Sequence, residues 1–338
     1  MGTPLHHATV STYVYKTTNG LTLSLDVWRP TPPANSTSND DANVALVHFH
    51  GGFLMVGEKT TFPPYWLINA CLRRGWTYIT PAYRLLPETP GLDIIDDALD
   101  AAQWVAKNVS ERLVIAGSSA GGFLALSVAT RLIEPKPVAT LCVYGILDLT
   151  AARYTNPGKP VLGSQLMPNV STILHEMEAA RDGDELDGYA FPDDLLADKR
   201  MSWINAAHQE AIYPDLLSRS QGLAAMIRTS GPTSIPEAYR ALFPSTFGAS
   251  KDMPPVAFLH GGQDDLVDAS QSIQVSEHLQ RLGVDTICAV VPGKGHGFDV
   301  EIAAEVDVEE AQGVHNPAYT ELKSVLGFID NAVRGSSK

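Results

Sequence analysis

The stretch Leu113-Val-Ile-Ala-Gly-Ser-Ser-Ala-Gly121 decides the fold of this chain. Its first part, Leu113 to Ala116, is a continuous apolar run of the kind that forms a buried strand. Its second part fits the pattern G-x-S-x-G around Ser119, and Ala120 to Leu132 then has helical spacing. A serine on a tight turn between strand and helix is typical of an enzyme nucleophile. The turn exposes the hydroxyl above the sheet, and the helix N-terminus favours negative charge there.

Apolar strands alternate with helices on both sides of this turn. Further strands are predicted at residues 44–49, 76–80, 138–143, 255–260 and 286–291, and further helices at residues 64–74, 93–108, 269–282 and 317–333. Strands without polar alternation, separated by helices, predict a mostly parallel sheet covered on both faces. Near the N-terminus, residues 11–30 alternate and are broken at Asn19-Gly20, which predicts an antiparallel hairpin. Residues 30–43 are rich in Pro, Asn, Ser and Asp, which predicts a surface loop.

The strand–helix rhythm stops between residues 150 and 250, a segment that we call the insertion. An insertion of about 100 residues within a regular α/β pattern is usually a lid over the site. We therefore predict a single domain over residues 1–338, with a helical lid at residues 150–250. Four aromatic residues of the insertion are candidates to line a substrate pocket, although packing against the core is at least as well supported: Trp203, Tyr213, Phe243 and Phe247.

A serine nucleophile needs a base, and His296 is the best candidate. It lies in Gly293-Lys-Gly-His-Gly-Phe298, directly after a predicted strand, where a glycine-rich loop can reach the top edge of the sheet. His278 falls in the middle of a predicted helix, and His175 and His208 lie in the insertion.

The acid that orients the base should lie between the serine and the histidine in chain order. Asp264, Asp265 and Asp268 compete for this role. Asp264 is preferred because it lies nearest the end of its strand, and Asp265 is the alternative. Asp268 is expected to cap the helix that follows.

A fourth motif, His50-Gly-Gly-Phe53, follows the strand that ends at Phe49. Glycines let backbone N–H groups approach a substrate oxygen closely. Together with the N–H of Ala120, this loop is expected to form an oxyanion hole.

Five motifs in one order resemble the hormone-sensitive-lipase-like branch of the α/β-hydrolases, the fold-3 type esterases. That branch shows HGGG, YRLAPE, GDSAG, D-x-L-x-D and G-x-x-H-x-F. This chain has His50-Gly-Gly-Phe53, Tyr83-Arg-Leu-Leu-Pro-Glu88, Gly117-Ser-Ser-Ala-Gly121, Asp264-Asp-Leu-Val-Asp268 and Gly293-Lys-Gly-His-Gly-Phe298. The resemblance implies an α/β-hydrolase fold and a triad of Ser119, His296 and Asp264. It also implies oxyanion donors at Gly52, Phe53 and Ala120, with Gly51 shaping the turn.

The chain departs from that pattern in three places. Phe53 replaces the third glycine, which keeps the backbone donor but narrows the expected acyl pocket. Ser118 replaces the acid of GDSAG and removes a charge beside the nucleophile. The predicted hairpin takes the place of the N-terminal cap helices of many relatives. Arg84 is expected to be structural, pairing with a carboxylate on the Asp93–Asp100 helix. The pattern looks like fungal members of the branch, several of which serve biosynthetic pathways of secondary metabolism.

Composition limits the partners. The formal net charge is -14, which disfavours nucleic acid and anionic membranes. There is no apolar run of about 18 residues, so no membrane span is predicted. Met1 to Val10 has no apolar signal region, and a cytoplasmic enzyme is expected. No metal or cofactor is called for, and a homodimer is left open.

These features together predict a serine esterase that cleaves a carboxylic ester of a bulky, largely apolar small molecule through an acyl-enzyme. One alternative is a biosynthetic acyltransferase or cyclase, in which a group other than water takes the acyl chain. The other is a non-catalytic ligand receptor on the same fold. The presence of His296 argues against the receptor, because the receptors that resemble this branch lack the histidine.

Overall fold

Eight strands form one sheet in the order β1-β2-β4-β3-β5-β6-β7-β8. The computed structural model describes residues 4–31, 43–163, 165–311 and 316–336. The strands are β1 Ala8–Thr18, β2 Leu21–Pro30, β3 Ala45–Phe49, β4 Thr77–Pro81, β5 Leu113–Ser118, β6 Ala139–Val143, β7 Val256–Gly261 and β8 Thr286–Val291. Strands β3 to β8 pair in parallel, whereas β1 and β2 run antiparallel at one edge. The predicted α/β-hydrolase architecture is confirmed.

Helices cover both faces of the sheet, because its central strands are apolar on both sides. One face packs against α2 (Gly91–Asn108), α3 (Ala120–Arg131) and α9 (Ser270–Arg281). The other face packs against α1 (Tyr65–Arg73) and α10 (Pro317–Gly335). Every residue of β3, β5, β6 and β7 is buried. The carboxyl ends of these parallel strands therefore meet at one edge, where their loops can assemble a site.

The N-terminal hairpin forms as predicted. Thr18 pairs with Leu21 across a two-residue turn. Asn19 and Gly20 both have positive φ, 49° and 83°, as the tight hairpin turn requires. Most of the loop predicted at residues 30–43 lies outside the described residues.

The insertion lies between β6 and β7 and is mainly helical. Its helices are α4 Ala152–Thr155, α5 Val170–Ala179, α6 Lys199–Gln209, α7 Tyr213–Ser218 and α8 Leu223–Ser230, followed by short helical turns up to Gly248. Across the described residues, no helix has the length and apolar character needed to cross a membrane.

Arg84 is structural, as predicted. Its guanidinium binds Asp97 on α2 with two bonds, Nε–Oδ2 at 2.8 Å and Nη2–Oδ1 at 2.9 Å. A third bond of 2.8 Å runs from its Nη1 to Glu185 of the insertion. Asp97 is fully buried, and Lys16 is its other cationic partner, at 2.7 Å. The pair thus joins the hairpin, α2 and the insertion.

Replacing Arg84 should destabilise the fold, because the buried carboxylate that it binds would keep only one of its two cationic partners. Arg84→Leu is expected to lower the free energy of unfolding by about 3 kcal/mol, measured by urea denaturation. Arg131→Leu is the matched control: its guanidinium meets Asp96 at 3.5 Å on the surface. That change should cost less than about 1 kcal/mol. Equal losses in the two variants would contradict the structural role of Arg84.

Candidate active site

Ser119 lies on the turn between β5 and α3 with φ 56° and ψ -119°. This backbone conformation is rare for a residue with a side chain, and close packing holds it in place. A Cβ added to Gly117 would lie 2.0 Å from the carbonyl oxygen of Gly121. A Cβ added to Gly121 would lie 2.0 Å from the carbonyl oxygen of Phe49. Both glycines of the motif are therefore needed for the turn to fit against the sheet.

His296 and Asp264 meet at the same edge of the sheet. The distance from His296 Nδ1 to Asp264 Oδ2 is 2.7 Å. The other carboxylate oxygen of Asp264 accepts from the backbone N–H groups of Leu266 and Val267, at 3.0 and 2.9 Å. The carboxylate is thus fixed by its own loop and directed at the imidazole.

The two competing carboxylates lie elsewhere. Asp265 is exposed. Asp268 accepts from the N–H of Ser270 at 2.8 Å, at the start of α9, where it was expected to cap the helix. Of the three, Asp264 is the one that contacts His296.

A second histidine, His260, was missed from the sequence. Its Nε2 lies 2.8 Å from the carbonyl oxygen of Val267 and 3.3 Å from Asp264 Oδ2. A carbonyl and a carboxylate can only accept, so Nε2 donates to them, and Nδ1 lies 2.7 Å from the Ser272 hydroxyl. The only signal in the sequence is a polar residue at the end of an otherwise apolar strand.

Asp264 is held in its charged form. Burial alone would raise the pKa of its carboxyl, but hydrogen bonds from His260 and His296 outweigh it and hold that pKa well below the usual range. The group is therefore an anion at neutral pH, as a residue that stabilises an imidazolium must be.

Ser119 and His296 line one cavity of about 330 Å³. Its wall is apolar and aromatic with a few polar groups: His48, His50, Gly51, Gly52, Phe53, Thr61, Phe62, Ser118, Ser119, Tyr144, Phe191, Leu266, His296, Gly297 and Val300. None of these described residues carries an Asp, Glu, Lys or Arg side chain. The cavity therefore suits a neutral, largely apolar ligand.

Beneath the cavity lies a buried polar network that the motifs did not reveal. The Tyr144 ring lies against the imidazole of His296, with centroids 4.5 Å apart. The Tyr144 hydroxyl donates to Asp299 at 2.6 Å, and Trp66 Nε1 donates to the same carboxylate at 2.7 Å. Burial raises the pKa of Asp299. Although Ser118 removes an acid from the motif, a carboxylate thus reaches this region from a different segment.

The loop after β3 approaches the serine closely. A Cβ on Gly51 would lie 3.0 Å from the Cβ of Ser119. Gly52 has φ 116°, and a Cβ there would lie 2.0 Å from the carbonyl oxygen of Val56. The N–H groups of Gly52 and Phe53 have no acceptor within the part of the chain that the structure describes. Ala120 is the first residue of α3, so its N–H has no partner within the helix.

The four aromatic residues proposed from the insertion do not line this cavity. Trp203, Tyr213 and Phe243 are buried in the hydrophobic core. Phe247 lies in a separate groove beside Arg240. These side chains pack the insertion against the α3 face of the sheet. Their positions therefore give no support to the prediction that they contact substrate.

Two other phenylalanines line the cavity that contains Ser119 and His296. Phe62 and Phe191 pack edge to face, with ring centroids 4.7 Å apart, and both line the cavity. Phe62 is 55% exposed, so it lies where the cavity opens to solvent. Phe191 belongs to the insertion, and its neighbour Tyr189 pairs with Gly57 through two backbone hydrogen bonds. The sequence offered no periodic pattern that distinguishes these two residues.

The comparisons with known proteins agree with this architecture. The profile of a family described as having the alpha/beta hydrolase fold matches residues 46–215, about half of the chain. The chain belongs to this family of the alpha/beta-hydrolase fold, within the hormone-sensitive-lipase-like branch, and is esterase- and lipase-like in sequence and fold.

Relatives at the sequence level are distant. A non-reducing polyketide synthase (ausA) of Aspergillus calidoustus is 25% identical over 88% of this chain, which spans only 13% of the synthase. Lipase 2 of Moraxella sp. strain TA144 is 23% identical over 78% of this chain and 56% of the lipase. The chain thus spans a small part of this synthase and little more than half of the lipase.

Solved structures share the fold. A bacterial heroin esterase superimposes with a TM-score of 0.61 at 18% identity, covering 97% of this chain and 85% of the esterase. An esterase of Pyrobaculum calidifontis gives a TM-score of 0.57 at 18% identity, covering 99% of this chain and 87% of that one. At such identities the likeness shows the fold alone.

The lowered pKa of Asp264 makes stability depend on pH. Its folded-state pKa is below that of the unfolded chain, about 3.9, so its contribution is complete above that pH and is lost as the pH falls through the folded-state pKa. The difference in free energy of unfolding between wild type and Asp264→Asn should therefore narrow from about pH 5 to about pH 2. Urea denaturation at several pH values measures it.

The exposed neighbour provides the control, since Asp265→Asn should change stability little at any pH. The prediction would be contradicted if the difference in free energy of unfolding between wild type and Asp264→Asn stayed constant or widened on acidification. This carboxylate would then not be stabilised in its charged form.

Proposed function

We propose that the chain is a carboxylic ester hydrolase with Ser119 as nucleophile, His296 as general base and Asp264 as the acid that orients the base. The observation that carries the proposal is the 2.7 Å bond between Asp264 and His296 beside a cavity that Ser119 and His296 both line. An imidazole held at Nδ1 by a carboxylate presents Nε2 for proton transfer.

The reaction proceeds in two steps. His296 accepts the proton of the Ser119 hydroxyl as its oxygen attacks the ester carbonyl carbon. The carbonyl oxygen becomes an oxyanion, which accepts from the N–H groups of Gly52, Phe53 and Ala120. The intermediate collapses, the C–O bond to the alcohol breaks, and His296 returns the proton to the leaving oxygen. Water, deprotonated by His296, then attacks the acyl carbon. The bond from that carbon to Ser119 Oγ breaks, the acid is released, and His296 returns the proton to Ser119.

The substrate is a neutral ester with a bulky, largely apolar group. No ionised carboxylate, ammonium or guanidinium lines the described cavity wall, so a charged substrate would find no counter-charge there. Phe62 and Phe191 offer aromatic surface at the opening. The relatives named as a lipase and as esterases fit this class of reaction.

A second function is favoured by one observation, the similarity to polyketide synthases over most of this chain. In that case the same acyl-enzyme would pass its acyl group to a hydroxyl, amine or carbanion rather than to water. Product analysis in ¹⁸O-labelled water separates the two: label in the released acid indicates hydrolysis, and its absence indicates acyl transfer or cyclisation.

A graded panel of p-nitrophenyl esters on wild type and Ser119→Ala tests the proposal. Wild type should prefer short acyl chains, and the variant should lose at least about 10³ in kcat, because removal of a triad member removes the nucleophilic route. Ser127→Ala is the matched control, a buried serine of α3 that donates to the carbonyl of Phe123. Near-wild-type activity of Ser119→Ala would falsify the assignment of the nucleophile.

A further inference from the structure

The loop that carries the proposed oxyanion donors, residues 50–57, is strained. We call it the oxyanion loop. Phe53 and Leu54 have φ of 58° and 61°, and Gly52 and Gly57 have φ of 116° and 98°. Two consecutive side-chain-bearing residues in the left-handed region are uncommon, and they persist only where the surroundings hold them.

Three residues of the insertion hold this loop. The Tyr213 hydroxyl donates a short hydrogen bond to the carbonyl of Phe53. Arg200 Nη1 donates to the carbonyl of Met55 at 3.0 Å. The backbone of Tyr189 exchanges two hydrogen bonds with Gly57, at 2.7 and 2.9 Å.

Arg200 also ties the insertion to the core beside the loop. Its side chain is 2% exposed. Its Nη1 donates to the carbonyl of Leu86 at 2.7 Å, and its Nη2 makes a short bond to Glu88. A buried guanidinium whose partners lie in two segments fixes both segments relative to the insertion.

The orientation of the oxyanion donors follows from planar peptides. The C=O and N–H of a trans peptide point in opposite directions, so fixing the carbonyl aims the amide. The carbonyl of Gly51 accepts from His50 Nδ1 at 2.7 Å, which aims the N–H of Gly52. The carbonyl of Gly52 accepts from the N–H groups of Met55 and Val56, which aims the N–H of Phe53.

The contacts from the insertion act on this arrangement. The Val56 N–H that binds Gly52 shares its peptide plane with the Met55 carbonyl, which Arg200 holds. Tyr213 holds the peptide that follows Phe53. Every carbonyl from His50 to Met55 accepts a hydrogen bond, whereas the N–H groups of Gly52 and Phe53 have no acceptor among described residues. These carbonyls are therefore occupied by partners within the protein, whereas the N–H groups of Gly52 and Phe53 are left for a ligand, as are those of Gly51 and Leu54.

We propose that Tyr213 and Arg200 are positioning residues that hold the oxyanion hole from the insertion, which therefore stays docked during turnover. The inference rests on the proposed function, because it assigns a task to the same site. It implies that substrate enters at the opening beside Phe62 and Phe191 rather than by displacement of α6 and α7. Opening of those helices would remove the bonds that hold Phe53 and Met55.

Tyr213→Phe tests the inference, because it removes one hydroxyl and keeps the ring. If the oxyanion loop is positioned less well, kcat should fall by about tenfold, a smaller loss than removal of an oxyanion donor itself causes. The KM should change by less than about twofold. The inhibition constant of a trifluoromethyl ketone, which forms an oxyanion on the serine, should rise by the same factor as kcat falls.

Tyr154→Phe is the matched control. Tyr154 lies in the same buried aromatic cluster, with its ring centroid 6.0 Å from that of Tyr213. Its hydroxyl is buried without a hydrogen-bond partner in the described part of the chain. Removing it should leave kcat and the ketone affinity unchanged. Urea midpoints for both variants establish that each is folded.

Unchanged kcat in folded Tyr213→Phe, or equal losses in the two Tyr→Phe variants, would overturn the inference. Should Tyr213→Phe not fold, Arg200→Lys carries the same test, since it keeps the charge beside Glu88 but not the fork that reaches Met55. Its kcat should fall with KM unchanged, and an unchanged kcat would overturn the inference. Failure of the proposed function is distinguishable, because it would appear as retained activity in Ser119→Ala.

Discussion

The left-handed turn at Ser119 is the constraint on which the rest of the structure depends. The turn brings α3 so close to the sheet that Gly117 and Gly121 leave no room for a side chain. The carbonyl of Ser119 accepts from the N–H groups of Gly122 and Ile146, which joins the turn to the loop after β6. That closeness places the hydroxyl beside the oxyanion loop and the first turn of α3, in the cavity that His296 also lines.

The insertion contributes to this arrangement in a way that its aromatic composition did not suggest. Its bulky side chains complete the core over α3, whereas Tyr213 and Arg200 direct polar atoms at carbonyls of the oxyanion loop. The strained backbone at Phe53 and Leu54 is thus stabilised by contacts from a segment more than a hundred residues later. In the proposed function, substrate selection falls instead to the opening of the cavity, where the insertion contributes Phe191.

Much of the fold could be predicted because its signals are local. The apolar strands, the helices between them and the Asn19-Gly20 turn each depend on a few neighbouring residues, and the structure has them all. The contact of Asp264 with His296 followed from motif order and strand ends. His260 and the Tyr144–Asp299 pair could not be found in this way, because their roles depend on contacts between distant segments. For the same reason, aromatic content alone did not identify Phe62 and Phe191, which line the cavity.

In the proposed reaction, Ser119 attacks a carbonyl carbon whose oxygen then binds three backbone amides. The most direct measurement is a crystal structure of the protein after reaction with an alkyl fluorophosphonate. We predict a covalent bond from Ser119 Oγ to phosphorus, with a phosphoryl oxygen about 2.7–3.1 Å from the amide nitrogens of Gly52, Phe53 and Ala120. Phosphorus on Ser118, or an adduct at Ser119 whose oxygen lies beyond reach of all three amides, would contradict the account.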